Sequence, residues 1–96
     1  MVEIKRLKDG ISLKGHANYA PHGQDIVCSA VSTLVQTLIQ SVEELTTDKI
    51  TYDMKPGAVI IKFWCLSDQS KVLIDAFFVG VKGVATSYPA YVRVID

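Results

Sequence analysis

The chain has 96 residues, nearly half of them hydrophobic, which suffices for one packed domain over residues 1–96. Ten basic and ten acidic side chains balance, which excludes a broadly basic surface for nucleic acid or an anionic membrane. Two cysteines are too few for a disulfide framework, and we find no signal peptide or membrane-spanning run, so we expect a reduced, cytoplasmic protein.

The first half predicts a hairpin, a loop and a long helix. Alternating apolar residues around Asp9-Gly10 indicate strands at roughly 1–7 and 11–17. Proline and glycine oppose regular structure between residues 18 and 24. Apolar residues then recur at steps of three and four, which predicts a helix from about 26 to 46 with Asp25 as its N-cap.

The second half repeats this pattern with a second hairpin and a second helix. Gly80 and Gly83 weaken that helix by roughly 1 kcal/mol each unless close packing needs them. We expect an α+β fold of order β-β-α-β-β-α-β, with two helices packed on a mainly antiparallel five-stranded sheet. The predicted elements are strands at 50–54 and 59–66 around a turn at 55–57, a helix from Ser67 or Asp68 to Tyr88, and a strand at 91–95.

The residues best suited to chemistry are Cys28 and His16. Capping by Asp25 places Cys28 in the first helical turn, where unpaired N–H groups and the helix dipole favour a thiolate, the nucleophilic form. His16, at the end of the preceding strand, is positioned to accept the thiol proton. The same N–H groups are candidates to hold an oxyanion. Ser32 lies one turn after Cys28, on the same helix face.

Each of these residues also has an ordinary structural interpretation. A cysteine on an apolar helix face is commonly a small buried hydrophobe, and Cys65, beside Trp64 in an apolar strand, is expected in the core. Ser32 suits a hydroxyl bonded to the backbone, and Gly15 and Gly23 suit special backbone angles. A zinc site at His16, His22 and Cys28 lacks a compact spacing and a fourth ligand.

A two-part motif carries a specific resemblance. Gly-His-Ala at 15–17, followed by Gly-Gln-Asp-Ile-Val-Cys-Ser-Ala-Val-Ser at 23–32, is similar to the ribosomal-processing cysteine protease family of bacteria, called Prp. Tyr-Pro-Ala-Tyr-Val at 88–92 and the order of elements are similar too, so the likeness covers nearly the whole chain.

The resemblance implies an endopeptidase with a catalytic dyad of His16 and Cys28, supported by Asp25, Ser32 and Gly15. It implies removal of a short N-terminal extension from a bacterial large-subunit ribosomal protein, the one numbered twenty-seven. It further implies a homodimer with a mobile loop between the two dyad residues. From the even charge balance and the lack of a compact ligand spacing, we expect no cofactor, metal, nucleic acid or membrane partner.

The loop between the dyad residues departs from the family pattern and is expected to shape the substrate pocket. An alternative is a phage-encoded homologue that processes a virion protein. A non-catalytic adaptor that holds a ribosomal or capsid peptide, and a metal-dependent regulator, are further alternatives from other classes. The loop residues expected at the substrate are Asn18, Tyr19, His22 and Gly23.

Overall fold

The computed structural model of the chain describes residues 1–21 and 23–96. It contains five strands and two helices in these residues, in the predicted order. The elements are β1 (Val2–Leu7), β2 (Gly10–Lys14), α1 (Ile26–Leu45), β3 (Ile50–Lys55), β4 (Ala58–Phe63), α2 (Asp68–Ser87) and β5 (Val92–Ile95).

The strands form one sheet of order β3-β4-β2-β1-β5. Neighbouring strands are antiparallel except β1 and β5, which run parallel. The predicted fold class, two helices with a mainly antiparallel five-stranded sheet, is therefore confirmed. The order places β2 at the centre, so the segment that follows β2 leaves from the middle of the sheet.

One face of the sheet is buried because apolar residues alternate in register along the paired strands. Ile4 faces Leu13, and Ile11 faces Ile61, so apolar side chains stack on the same side. Ile4, Ile11 and Ile61 are almost completely buried. The helices supply the other half of this core through the buried residues Val27, Val31, Val35, Leu38, Ile39, Val42, Ile74, Phe77, Phe78 and Val81.

The first hairpin forms where it was predicted, but its turn lies one residue earlier. Leu7 pairs with Gly10, so the turn residues are Lys8 and Asp9, and neither Asp9 nor Gly10 has a positive φ. Gly10 instead opens β2, where a Cβ would lie 2.5 Å from the backbone oxygen of Ile61. The glycine therefore allows close approach of β4.

Strands β2 and β4 both end earlier than predicted. In each case a residue of positive φ follows within two residues of the end of the strand. β2 stops at Lys14, before Gly15 with a φ of 96°, and β4 stops at Phe63, two residues before Cys65 with a φ of 52°. A left-handed residue turns the chain away from the strand direction. The expectation that Cys65 lies in the core is wrong, because the chain leaves the sheet there and the residue is exposed.

Helix α1 is long and apolar enough, by length and composition, to cross a membrane. Its arrangement is that of an amphipathic core helix, because its apolar stripe packs into the core while the opposite face carries Thr33, Gln36 and Gln40, all exposed. Buried helices of many globular proteins are equally long and apolar, so the length and composition of α1 do not by themselves indicate a membrane span.

The two helices pack closely at Gly80. A Cβ on Gly80 would lie 2.9 Å from Cδ2 of Leu34 on α1, whereas a Cβ on Gly83 would meet nothing within 4 Å. Close packing therefore accounts for Gly80 and not for Gly83.

This difference yields a matched pair of substitutions. Gly83→Ala should stabilise the protein by about 1 kcal/mol, the gain in helix propensity, and raise its Tm by roughly 4–8 °C. Gly80→Ala should gain clearly less, because the Leu34 side chain must move to admit the methyl group. Thermal unfolding followed by circular dichroism measures both, and equal gains would contradict the packing role of Gly80.

Candidate functional site

Gly15 begins the candidate site by turning the chain out of the sheet. The backbone oxygen of Met1 occupies the space where a Cβ on Gly15 would lie, so both the positive φ and the crowding require glycine. The Gly15 amide donates to the Gly57 oxygen over 2.9 Å. The His16 carbonyl accepts from the Met1 amino nitrogen over 2.7 Å. These contacts hold the backbone of His16 just beyond the end of β2.

Asp25 caps α1, as predicted. Its Oδ1 accepts from the Cys28 amide over 2.9 Å, and its Oδ2 accepts from the Tyr19 amide over 3.0 Å. The hydrogen bond from Cys28, followed by those of other backbone amides, holds the pKa of the Asp25 carboxyl below its ordinary value of 3.8. The carboxylate is thus engaged by the cap and the loop, and Cys28 lies in the first turn of the helix.

A pocket of about 320 Å³ brings most of the predicted site residues together between the loop and α1. The half-buried Cys28 and the exposed His16 both line it. The other lining residues are Ala17, Asn18, Ala20, Gly23, Asp25, Ser29 and Ser32.

A second cavity, of about 440 Å³, adjoins the first and shares His16, Cys28 and Ser32 with it. Its walls are largely apolar, more so than those of the first pocket, and the residues of the predicted dyad lie between that pocket and this apolar groove. The groove is lined on α1 by Val31 and Val35, on the sheet by Val2, Leu13, Ala58 and Val59, and on the β3–β4 hairpin by Met54, Lys55, Pro56 and Gly57.

Tyr19 occupies a different place from the other loop residues. It is not among the lining residues of either cavity, and its ring packs edge-to-face on Tyr88 and Tyr91, with centroids 5.5 and 5.0 Å away. Such contacts stabilise a loop through aromatic packing. Tyr19 therefore attaches the loop to the end of α2. His22, the remaining predicted loop residue, lies outside the described residues, and so does any zinc site that includes it.

The two residues of the predicted dyad share a pocket, but no bond joins them directly. Within residues 1–21 and 23–96, no hydrogen bond joins the Cys28 thiol to the His16 imidazole. The Cys28 amide, one of the predicted oxyanion donors, is already committed to Asp25. In this conformation the Cys28 amide does not donate to a ligand, because it already donates to the capping carboxylate of Asp25.

Sequence reasoning missed Ser29 as a site residue, and it missed that the β3–β4 turn lies at the site. Ser29 directly follows Cys28, and its place in the pocket follows from the helical positions of its neighbours. The turn at Pro56-Gly57 was predicted, but its place beside His16 depends on the pairing of Lys14 with Ala58. No local pattern encodes that pairing of β2 with β4.

Cysteine catalysis requires a thiol, a nearby base and an open cavity for the substrate. A thiol in the first turn of a helix and a histidine on the preceding loop here line one cavity of an α+β fold, which defines a small protein of the cysteine protease class. A model of the family "Cysteine protease Prp" matches residues 1–93. The chain belongs to that family, and the resemblance inferred from the two-part motif is confirmed.

Individual relatives agree in sequence and in fold. The ribosomal processing cysteine protease Prp of Mycoplasma genitalium is 29% identical over 94 residues, covering 96% of this chain and 92% of the relative. The Staphylococcus aureus ribosomal processing protease Prp with a covalently linked product peptide superposes with a TM-score of 0.89 at 19% identity, covering 98% of this chain and 95% of that one. The same S. aureus protease with a substrate peptide gives a TM-score of 0.81 at 18% identity, covering 97% and 94%.

The cap predicts a defined pH dependence. Because the pKa of Asp25 is lower in the folded than in the unfolded protein, its carboxylate contributes stability above the ordinary value of 3.8. That contribution is lost as the pH falls through the lowered folded value. Asp25→Asn keeps a capping oxygen but removes the titration. The difference in free energy of unfolding between wild type and Asp25→Asn should therefore narrow below pH 3.8; urea titrations at several pH values that give a constant difference would contradict this.

Proposed function

We propose that the chain is an endopeptidase that removes a short N-terminal extension from a bacterial large-subunit ribosomal protein, the one numbered twenty-seven. The observation that carries the proposal is the shared pocket of Cys28 and His16, with Cys28 in the first turn of α1. Membership of the Prp family supports the protease activity. The named role of the M. genitalium relative, and the peptides bound to the S. aureus protease, support a ribosomal peptide as substrate.

The proposed reaction proceeds through an acyl-enzyme. His16 accepts the proton of the Cys28 thiol, and the sulfur attacks the scissile carbonyl carbon. The carbon–nitrogen bond then breaks while His16 gives the proton to the leaving amine. Water, deprotonated by His16, attacks the thioester and releases the new carboxylate, and the proton returns to the sulfur. One thiol and one imidazole therefore suffice, and no cofactor takes part.

The positive end of the α1 dipole stabilises the developing oxyanion. Asp25, Gly15 and Ser32 act in support of the dyad. Asp25 caps the start of α1, and Gly15 turns the chain out of β2 toward His16. The exposed Ser32 lines both cavities together with Cys28. The loop residues Asn18 and Gly23 line the first pocket and contribute to substrate selection.

The decisive experiment incubates the purified protein with the extended ribosomal protein and records intact masses. Wild type should make a single cut that releases a short N-terminal peptide, while Cys28→Ala and His16→Ala should be inactive or slower by several orders of magnitude. Cys65→Ser is the matched control, because Cys65 is exposed and lines neither cavity near the dyad. Cleavage by Cys28→Ala would refute the proposal, and no cleavage by wild type would redirect the search for the substrate to phage structural proteins.

The proposed activity places the enzyme in the cytoplasm, where ribosomal proteins are made, and we further propose that it acts as a homodimer. Helix α2 exposes Val72 and Val79 on one face, at 65% and 74% of their surface, and an exposed apolar face favours self-association. Light scattering should then give about twice the 10.5 kDa of one chain. A mass equal to a single chain at micromolar concentration would exclude a stable dimer.

A further inference from the structure

The turn between β3 and β4 lies directly against the imidazole of His16. A Cβ on Gly57 would lie 2.7 Å from Nε2, 3.3 Å from Cε1 and 3.4 Å from Cδ2 of that ring. Approaches under 3.0 Å are essentially never made by real Cβ atoms. The imidazole therefore occupies the space that any side chain at position 57 would need.

Backbone hydrogen bonds fix the turn relative to the loop that carries His16. The Gly15 amide donates to the Gly57 oxygen over 2.9 Å, and Lys14 pairs with Ala58 in the sheet. The Gly57 oxygen is thus hydrogen-bonded to Gly15, the residue that directly precedes His16. These bonds fix the turn relative to the backbone of His16, and the imidazole then lies against the turn in the rotamer that the side chain adopts.

The position of the imidazole matters because Cys28 lines the same two cavities. His16 lines both the first pocket and the apolar groove, and Gly57 lines the groove. Among the described residues, no hydrogen bond anchors the imidazole to another side chain. The turn is therefore a close contact that limits where the ring can lie.

We propose that Gly57 is a positioning residue for His16, which acts by leaving the imidazole the space from which it serves Cys28. This inference rests on the proposed dyad. A glycine at a positive φ of 73° after Pro56 is also what a type II turn requires. The turn alone would account for the glycine without involving His16, so the test must separate a backbone effect from an effect on the ring.

The test uses Gly57→Ala and Gly57→Asn, since asparagine tolerates a positive φ better than alanine while both carry a Cβ. The atom displaced is the far end of the His16 side chain, so the protein should still fold, as a Tm measurement checks. The rate of Cys28 alkylation by iodoacetamide is measured against pH, with the exposed Cys65 as internal reference. Cleavage of the extended ribosomal protein gives kcat/KM.

Both Gly57 variants should lose about tenfold to a hundredfold in kcat/KM, because a misplacement of about 1 Å has that effect on a catalytic group. The alkylation rate of Cys28 should fall toward that of His16→Ala, with an altered pH profile, while Cys65 keeps its rate. In a His16→Ala background the Gly57 substitutions should change the Cys28 rate by less than about twofold. Gly83→Ala, whose new methyl group lies at a residue that lines neither cavity, should match wild type in both cleavage and Cys28 alkylation.

Two outcomes overturn the inference alone. One is a folded Gly57→Asn protein with wild-type alkylation and cleavage, and the other is an equal loss in the His16→Ala background, which would mean that Gly57 acts through the fold. A third outcome removes the proposed function as well: if His16→Ala leaves both Cys28 alkylation and cleavage unchanged, His16 is not a catalytic base and needs no positioning.

Discussion

The carboxylate of Asp25 joins the loop that follows His16 to the helix that carries Cys28. One oxygen accepts from the Cys28 amide at the start of α1, and the other accepts from the Tyr19 amide in the loop. Because the two oxygens belong to one rigid group, the separation of loop and helix is set by a single side chain. This bridge forms part of the wall of the pocket that Cys28 and His16 both line.

Two further contacts hold the segment that joins β2 to α1. Tyr19 packs its ring on Tyr88 and Tyr91 at the end of α2, and Gly15 bonds to Gly57 at the β3–β4 turn. The segment between His16 and Cys28 therefore has supports at its start, in its middle and at its end. Such a loop loses less conformational entropy on binding a peptide than an unsupported one would.

Much of the fold follows from patterns that act over a few residues. The sequence predicted the starts of both helices nearly to the residue, with Asp25 as the cap of α1 and α2 beginning at Ser67 or Asp68. Propensity, periodicity and capping signals agree at these positions. The ends of β2 and β4 were not, because the positive φ of Gly15 and of Cys65 depends on where the chain must travel next. Cys65 in particular has the composition of a core residue and the backbone of a turn residue.

The candidate site shows the same difference between features set by local patterns and features set by long-range contacts. His16, Cys28 and the cap between them lie within thirteen residues and carry a recognisable motif, so the sequence alone was enough to propose them. The neighbourhood of His16 was not found, because Gly57 reaches it only through the pairing of β2 with β4, and Tyr19 meets α2 only after the whole domain has packed. Long-range partners are decided by strand order, which periodicity does not contain.

The parallel pairing of β1 with β5 has a consequence for the time at which this protein becomes an enzyme. Val2 pairs with Val92, and the Val2 amide donates to the Tyr91 oxygen, so the first strand finds its partner only in the last one. During synthesis a nascent chain that already contains His16 and Cys28 still has an unpaired β1 edge and no Tyr88 or Tyr91 to receive Tyr19. The pocket is therefore completed only after β5 has emerged from the ribosome, and this pairing of segments distant in sequence delays the onset of proteolysis until then.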